Sequence, residues 1–282
     1  MLIIKSIPLL RKIIRSLRQK NKTIGFVPTM GALHEGHLVL IRKAKKENAI
    51  CILSIFVNPK QFGPKEDFKS YPREKNNDKK LAEKEDVDII FYPSMETIYP
   101  SGYLTSVEVD RLSSVLCGKF RPGHFKGVTT IVAKLLNIII PDIFYLGQKD
   151  AQQVIILKKM VADLNFPVRI KTCPTVREKD GLALSSRNRY LSPLERKKAP
   201  VLYRSLKLAK QKILSGQHDT KKITQFMSKT ILHNGGSSID YIECVNADSL
   251  FPLKQVQGKI MLALAVRFGK VRLIDNIIFH VP

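Results

Sequence analysis

Short apolar runs alternate with amphipathic stretches along most of the chain. The runs are bounded by polar residues or proline, as is typical of strands buried on both faces of a parallel sheet, and they lie at residues 23–27, 50–57, 87–92 and 138–146. Apolar positions at helical spacing surround them, at residues 6–20, 35–48, 74–86, 124–137 and 150–163. This alternation predicts a doubly wound α/β sheet, in which ligands bind beyond the carboxyl ends of the strands.

The pattern changes near residue 175. A helix is expected to start near Ser192 and Pro193 and another to cover residues 220–233, and strand-like runs follow at residues 239–245 and 260–266. We therefore predict two domains: residues 1–175 form the α/β domain, and residues 176–282 form a smaller α+β domain.

The most informative segment is residues 28–37, which read Pro-Thr-Met-Gly-Ala-Leu-His-Glu-Gly-His. A buried strand is predicted to end at Pro28, and a helix then begins, so His34 and His37 lie three residues apart on its first turn. A helix start carries unpaired N–H groups and partial positive charge, which suits it to phosphate. Gly31 and Gly36 would let a phosphate approach the backbone. The alternative is that both histidines simply cap the helix or face solvent.

A strand followed by His-x-Gly-His at a helix start resembles the nucleotidyltransferase and class I synthetase superfamily. Those enzymes attack the α-phosphate of a nucleoside triphosphate and release pyrophosphate. Two imidazoles at this place can stabilise the charge on the departing pyrophosphate. The ordered combination of strand, Pro-Thr, Gly and His-x-Gly-His favours this interpretation over simple capping.

Three further motifs follow predicted strands or turns. Asn58 and Gln61 follow the second predicted strand, and their amides suit a small polar acid, although Asn-Pro and Phe-Gly also form ordinary turns. Lys149 and Asp150 follow another strand and suit phosphate and ribose, or else a solvated charge and a helix cap.

The third motif covers residues 175–189. Ser185, Ser186 and Arg187 offer hydroxyls and a planar cation for phosphate oxygens. Gly181 and its polar neighbours indicate a mobile loop that closes over a nucleotide; the alternative is a surface loop with chance basic residues.

Composition limits the function classes. The net charge is +24, but the basic excess is divided between the two predicted domains and Trp is absent, which disfavours nucleic-acid binding. No apolar run is long enough to cross a membrane, and the start of the chain has no signal-peptide pattern. Four scattered cysteines favour neither zinc nor disulfides, and reduced thiols in a cytoplasmic protein fit best.

Taken together, the motifs resemble those of the pantothenate synthetase (pantoate–β-alanine ligase) family. The resemblance runs nearly end to end and is most specific at residues 28–37, 58–63, 71–73, 121–125, 147–153 and 184–188. It implies a Rossmann-like nucleotide domain, a smaller C-terminal domain that acts as a lid or associates with the dimer, a homodimer, and dependence on Mg²⁺ and ATP.

The resemblance also implies residue roles. His37, His34, Lys149 and Arg187 would be catalytic, and Gln61, Gln153, Asn58 and His124 would bind substrate. The residues implied to bind ATP are Met30, Gly31, Ala32, Leu33, His34, Glu35, Gly36, His37, Gly147, Gln148, Lys149, Asp150, Val176, Leu184, Ser185, Ser186 and Arg187. Gln148 stands where Glu is often found and Leu184 where Met is frequent, and Asp78 resembles an acidic position near the metal.

The implied reaction joins pantoate and β-alanine through a pantoyl-adenylate and yields pantothenate, AMP and pyrophosphate. Two alternatives remain open at this point. A nucleotidyltransferase that makes a dinucleotide or a CDP-alcohol would use the same His-x-Gly-His but would not need Gln61 and Gln153. A basic RNA-binding protein would need aromatic platforms or clustered arginines.

Overall fold

The computed structural model describes residues 1–64 and 66–281, and these form two compact units. Unit 1 contains Met1–Ser113, Arg121–Gln148 and Gln153–Pro174; unit 2 contains Ser114–Phe120, Lys149–Gln152 and the chain from Thr175 onward. The sequence predicted two continuous domains, 1–175 and 176–282, whereas the structure assigns two short earlier segments to unit 2. Contacts between residues distant in sequence join them to it. The Asn276 side chain donates to the Lys149 carbonyl, and Cys117 Sγ lies 3.1 Å from the Tyr241 hydroxyl.

The strands of unit 1 form one parallel sheet. They are β1 (Leu2–Ile4), β2 (Ile24–Thr29), β3 (Ile50–Ile55), β4 (Ile89–Phe91), β5 (Ile143–Gly147) and β6 (Arg169–Cys173). Their order is β1-β4-β3-β2-β5-β6. The strand order reverses at β2 and β5, so the crevice outside their carboxyl ends is the expected ligand position in such a sheet.

The helices connect and cover the strands. They are α1 (Ile7–Gln19), α2 (Glu35–Glu47), α3 (Lys75–Lys84), α4 (Met95–Ile98), α5 (Cys117–Phe120), α6 (His124–Ile139), α7 (Ala151–Asp163), α8 (Pro193–Lys198), α9 (Val201–Leu214) and α10 (Thr220–His233). Short 3₁₀ turns lie at Pro59–Gln61, Gln148–Asp150 and Ser186–Tyr190. Helix α2 buries Leu38, Leu40, Ile41 and Ala44, as its spacing predicted.

The apolar run at residues 138–146 was predicted as one strand, and this is wrong. Ile138 and Ile139 are the last residues of α6, Ile140 ends the helix with a φ of 48°, and β5 starts only at Ile143. The run is continuous because the end of the helix and the strand are both buried. The strand predicted to end at Pro28 continues to Thr29, which is tolerated because β5 pairs with β2 only at Gly25 and Phe26.

Unit 2 contains an antiparallel sheet in the order β7-β8-β9, formed by β7 (Ser238–Asn246), β8 (Gly258–Phe268) and β9 (Val271–Val281). Leu206 and Ile213 of α9 and Ile223 and Met227 of α10 belong to the same buried cluster as Leu262 of β8. Three strands were not predicted: β1 and β6 are short edge strands, and charged residues interrupt the apolar pattern of β9.

The predicted doubly wound α/β sheet with a smaller α+β unit is confirmed. Within residues 1–64 and 66–281, no helix has both the length and the apolar character needed to cross a membrane.

Candidate active site

His34 and His37 lie where β2 ends and α2 begins. His34 is the N-cap residue, and its Nδ1 accepts a hydrogen bond from the Gly36 amide at 3.2 Å. The Nδ1 of His37 accepts from the His34 amide at 3.3 Å, and the two ring centroids are 4.1 Å apart. A neutral imidazole whose Nδ1 accepts carries its proton on Nε2. The capping role considered from the sequence is therefore real, and it orients an Nε2–H donor on each ring.

The segment between β2 and α2 is held by Asp78 from α3. The buried carboxylate of Asp78 accepts from the Ala32 amide at 3.0 Å and from the Leu33 amide at 2.7 Å. Gly31 has a φ of +82°, and a Cβ atom there would lie 2.8 Å from Asp78 Oδ2. Gly31 is therefore required by the turn and by this close contact, in addition to any approach of phosphate.

Asp78 was also considered as a residue near a metal. Both of its carboxylate oxygens already accept backbone N–H groups, which gives Asp78 a role in holding this segment, and its place near a metal stays a prediction. Across the described part of the chain, no three His, Cys, Asp or Glu side chains gather in a way that could hold a metal ion.

Gln61 lies in the 3₁₀ turn after β3, and its side chain is held from two sides. The Asn58 Nδ2 donates to Gln61 Oε1 at 3.1 Å, and the Gln61 Nε2 donates to Met30 Sδ at 3.0 Å. Asn58 is fully buried and accepts from the Tyr99 hydroxyl at 2.8 Å. These contacts place a predicted substrate residue directly against the predicted ATP-binding segment.

His124 holds the backbone of the same turn. Arg121 Nη1 lies 3.0 Å from His124 Nε2, and because arginine only donates, Nε2 is the acceptor. The Nδ1–H of His124 then donates to the Gln61 carbonyl at 2.8 Å. Arg121 is in turn paired with Glu66 at 2.6 Å. Burial works against ionisation of Glu66, but Arg121 holds the pKa of that carboxyl below its ordinary value.

A third set of predicted site residues in unit 1 follows β5. Gly147 is the last residue of the strand, and a Cβ atom there would meet nothing within 4 Å. Gln148 comes next, and Gln153 lies on the first turn of α7 rather than directly at the strand end. Because β3, β2 and β5 are neighbours in a parallel sheet, Gln61, the histidine pair and Gln153 all follow the same edge of the sheet.

The remaining predicted residues belong to unit 2. Lys149 and Asp150 lie in the 3₁₀ turn before α7, with 3.7 Å between Lys149 Nζ and Asp150 Oδ1. Asp150 thus precedes a helix, as its alternative interpretation required, and its side chain is 47% exposed.

Residues 176–184 form a small hairpin. The Leu184 amide donates to the Val176 carbonyl at 3.0 Å, and the Ser185 hydroxyl then caps the 3₁₀ turn that contains Ser186 and Arg187. The sequence indicated a mobile loop here. In the structure Arg196 pairs with Glu178 and Asp180, at 2.6 Å in each case, and these ion pairs hold the hairpin to α8.

Sequence reasoning missed Tyr99 and Glu66, and it gave no role to Arg121 and no backbone-holding role to Asp78. Burial raises the pKa of Tyr99, so its hydroxyl remains a donor to Asn58. Tyr99, Glu66 and Asp78 have no local signal, because each acts on a residue distant in sequence, whereas Arg121 lies three residues before His124.

Comparisons with known proteins show similarity along nearly the whole chain. The sequence matches the model of the pantoate-β-alanine ligase family over residues 2–278. The chain is 54% identical to a pantothenate synthetase of Caldicellulosiruptor saccharolyticus, with 100% of both chains covered. It is 55% identical to that of Caldicellulosiruptor bescii, with 99% of each covered.

Solved structures give the same result. The pantothenate synthetase of Thermus thermophilus superimposes with a TM-score of 0.92 at 42% identity, covering 98% of this chain and 99% of that one. The pantoate-β-alanine ligase of Francisella tularensis, in complex with beta-gamma ATP and β-alanine, gives a TM-score of 0.80 at 40% identity, covering 98% and 97%.

Proposed function

This chain belongs to the pantoate–β-alanine ligase family, and we propose that it joins pantoate to β-alanine at the expense of ATP. A carboxylate is a poor acyl donor and must first be activated. The pantoate carboxylate attacks the α-phosphorus of ATP and forms pantoyl-adenylate, while the bond to pyrophosphate breaks. The β-alanine amine then attacks the acyl carbon, the amine loses a proton, and AMP leaves with the formation of pantothenate.

The contact between Gln61 and Met30 carries this proposal. Adenylation requires the acid and the nucleotide to be adjacent, and here the amide assigned to pantoate touches the segment assigned to ATP. The orientation of the Gln61 amide follows from its neighbours, because Asn58 Nδ2 only donates and therefore faces Oε1. The Gln61 NH₂ group is then the donor toward substrate. Gln153 is assigned the second pantoate contact.

Four side chains are proposed to stabilise the negative charge on the departing pyrophosphate. His34 and His37 offer Nε2–H donors that are already oriented by their capping bonds. Lys149 and Arg187 supply full positive charge, and Gly147, Gln148, Asp150 and Val176 are assigned to the nucleoside. Asn58 and His124 hold Gln61 in the structure, and direct contact of either with substrate remains a prediction.

Magnesium is proposed to arrive with its nucleotide as the substrate MgATP, because Mg²⁺ is usually held by substrate phosphates and water with few protein ligands. No step is assigned to a metal held by Asp78, whose oxygens accept backbone N–H groups. The resemblance to the family further supports a cytoplasmic homodimer. Light scattering on the purified chain tests the dimer.

Pyrophosphate exchange into ATP tests the proposed function. We expect exchange that requires pantoate and proceeds without β-alanine, because adenylation precedes attack by the amine. Nicotinate mononucleotide and phosphopantetheine serve as control substrates, since the alternative interpretation as a nucleotidyltransferase does not require pantoate. Equal exchange with either of these compounds would overturn the assignment.

A further inference from the structure

Unit 2 contains a buried pair of polar residues that the proposed reaction does not use. Asp275 and Asn276 are consecutive residues of β9, and they are only 3% and 5% exposed. The Asn276 amide donates to Asp275 Oδ1 at 2.8 Å, so the two side chains are linked through the backbone. Each side chain also contacts a residue in or beside a segment that we assigned to ATP: Asn276 contacts Lys149, and Asp275 contacts Arg177, which follows Val176.

The first contact is to the segment that carries Lys149. Asn276 Nδ2 donates to the carbonyl oxygen of Lys149 at 2.9 Å. This bond holds the backbone of the 3₁₀ turn Gln148–Asp150, from which the Lys149 side chain projects. Asn276 therefore holds the backbone from which the Lys149 side chain extends.

The second contact is to the base of the hairpin that leads to Arg187. Both oxygens of Asp275 accept from Arg177, at 2.6 and 2.9 Å. Arg177 also donates to the Gly181 carbonyl at 3.1 Å, and its guanidinium lies 3.6 Å from the centre of the Tyr203 ring. Arg177 is thereby fixed, and with it the two strands of the hairpin that end at Ser185.

Stability alone does not explain why Asp275 and Asn276 are buried here. Burial raises the pKa of Asp275, against the effect of Arg177, because a charge in a low-dielectric interior is costly. A buried ion pair often contributes less than well-packed apolar residues would. What Asp275 and Asn276 supply instead is a common anchor for two segments that are distant in sequence.

We propose that Asp275 and Asn276 are positioning residues for the triphosphate of ATP, which set the spacing between Lys149 and residues 184–187. The proposal rests on the proposed function only in assigning these two segments to ATP. Pantoate is assigned to Gln61 and Gln153, which belong to unit 1, so we expect a defect in β9 to act mainly on ATP.

Calorimetry on the full chain tests this with Asp275→Asn and Asn276→Ala, measuring the Kd for ATP and for pantoate separately. Loss of one buried hydrogen-bond partner predicts an ATP Kd about 10- to 100-fold higher and an unchanged pantoate Kd. Simple electrostatics predicts the opposite sign for Asp275→Asn, since removing a carboxylate favours a polyanion. The direction of the change therefore separates positioning from charge.

Asp240→Asn is the matched control, because Asp240 is a largely buried carboxylate on β7 of the same sheet, paired with Arg267 and Arg272. It should lose stability but keep its ATP affinity. If Asp275→Asn does not fold, Asn276→Ala decides, since it leaves the pair with Arg177 intact. In pyrophosphate exchange, both variants should raise KM for ATP more than they lower kcat.

An ATP Kd within about twofold of the wild type in folded Asn276→Ala, or an equal loss in Asp240→Asn, would overturn the proposal. Failure of the proposed function is distinguished by the wild type, which would then show no pantoate-dependent exchange. The Kd values for ATP are measured without turnover, so they would still decide the role of Asp275 and Asn276.

Discussion

At the residue scale, His34 and His37 each have a structural role at the start of α2, and each is proposed to have a chemical role as well. Their Nδ1 atoms accept the backbone N–H groups at the start of α2, and this leaves the proton of a neutral ring on Nε2. A residue that caps a helix is thereby held in the tautomer that can donate to a phosphate. The choice between a capping histidine and a catalytic histidine is therefore not exclusive.

We expect His37→Ala to lower turnover by about 10²–10³, with a much smaller effect on ATP affinity. The reason is that a donor aimed at charge developing on pyrophosphate acts mainly in the transition state. Single-turnover formation of the adenylate and calorimetry with ATP measure the two effects. His280→Ala, at an exposed position of β9, is the control. Near-normal turnover in His37→Ala would return His37 to a purely structural role.

Gln61→Ala and Gln153→Ala should each weaken pantoate binding by about 1–3 kcal/mol and leave ATP binding unchanged. In each case a desolvated ligand group loses its partner, while the phosphate donors are other residues. Calorimetry with each ligand checks this, and Gln211→Ala, on the exposed side of α9, serves as the control. Loss of ATP affinity with normal pantoate binding would contradict the assignment.

At the scale of elements, helix α6 supports the 3₁₀ turn that carries Gln61. The helix approaches so closely that a Cβ atom at Gly127 would lie 2.2 Å from the Lys60 carbonyl oxygen and 2.6 Å from the Gln61 amide. Asn58 Nδ2 also donates to the Gly127 carbonyl at 3.0 Å. The position of Gln61 is therefore determined by the contact of a helix with a turn.

Gly127→Ala should shift this turn, weaken pantoate binding and destabilise the fold by about 1–3 kcal/mol, as overpacking does. The sign is informative, because glycine to alanine inside an unobstructed helix stabilises by about 1 kcal/mol. Urea unfolding and pantoate calorimetry measure the two effects. A more stable variant with normal pantoate affinity would contradict this, because the turn would then accommodate the added methyl group without loss of stability or binding.

Glu47, at the end of α2, joins that helix to two strands. Its carboxylate accepts from Lys171 of β6 at 2.7 Å and from the Tyr145 hydroxyl of β5 at 2.8 Å, and it pairs with Lys43 at 3.0 Å. The hydrogen bond from Lys171 is the largest cause that lowers the pKa of Glu47 to about 2, against the opposing effect of burial.

The pKa of Glu47 is lower in the folded chain than in the unfolded chain. The stabilisation by its carboxylate is therefore fully present at pH values above its ordinary pKa of about 4.3. It is lost as the pH falls toward about 2. Glu47→Gln should therefore lower Tm at pH 7, and the difference in Tm from the wild type should vanish as the pH approaches about 2. Glu83→Gln is the control, since its side chain is 51% exposed and 3.9 Å from Lys79. A difference that does not depend on pH would contradict this account.

At the scale of the whole molecule, the chain carries 48 basic and 24 acidic side chains. Such an excess attracts anions over distances comparable to the Debye length, which is about 10 Å at 0.1 M salt. ATP and pantoate are anions, whereas β-alanine is a zwitterion. The net charge should therefore assist two of the three proposed substrates.

Raising the salt concentration from about 0.05 to about 0.5 M should increase KM for ATP and leave KM for β-alanine nearly unchanged. Steady-state kinetics with each substrate varied in turn checks this, with β-alanine as the internal control. An equal change in KM for all three substrates would indicate that salt acts on the protein itself and not on its encounter with anionic substrates.

The sequence by itself determined most helices and strands, because their periodicity is local. It also determined where the histidine pair lies, since a strand, a turn and a helix start are encoded within residues 23–44. The positions of Gln61 and Lys149 after predicted strands follow for the same reason, and the roles of Gln61, Lys149 and Arg187 stay predictions. The resemblance of these motifs to one family was then confirmed by the comparisons.

The tertiary structure alone decided what holds these residues. Asp78 lies 45 residues from Leu33, and Asn276 lies 127 residues from Lys149, so no local pattern joins either pair. It also decided the edge strands β1 and β6, because half-exposed edges lack the apolar signal of buried strands. A helix or a strand follows from neighbours along the chain, whereas a hydrogen bond between distant side chains exists only after the backbone has brought them together.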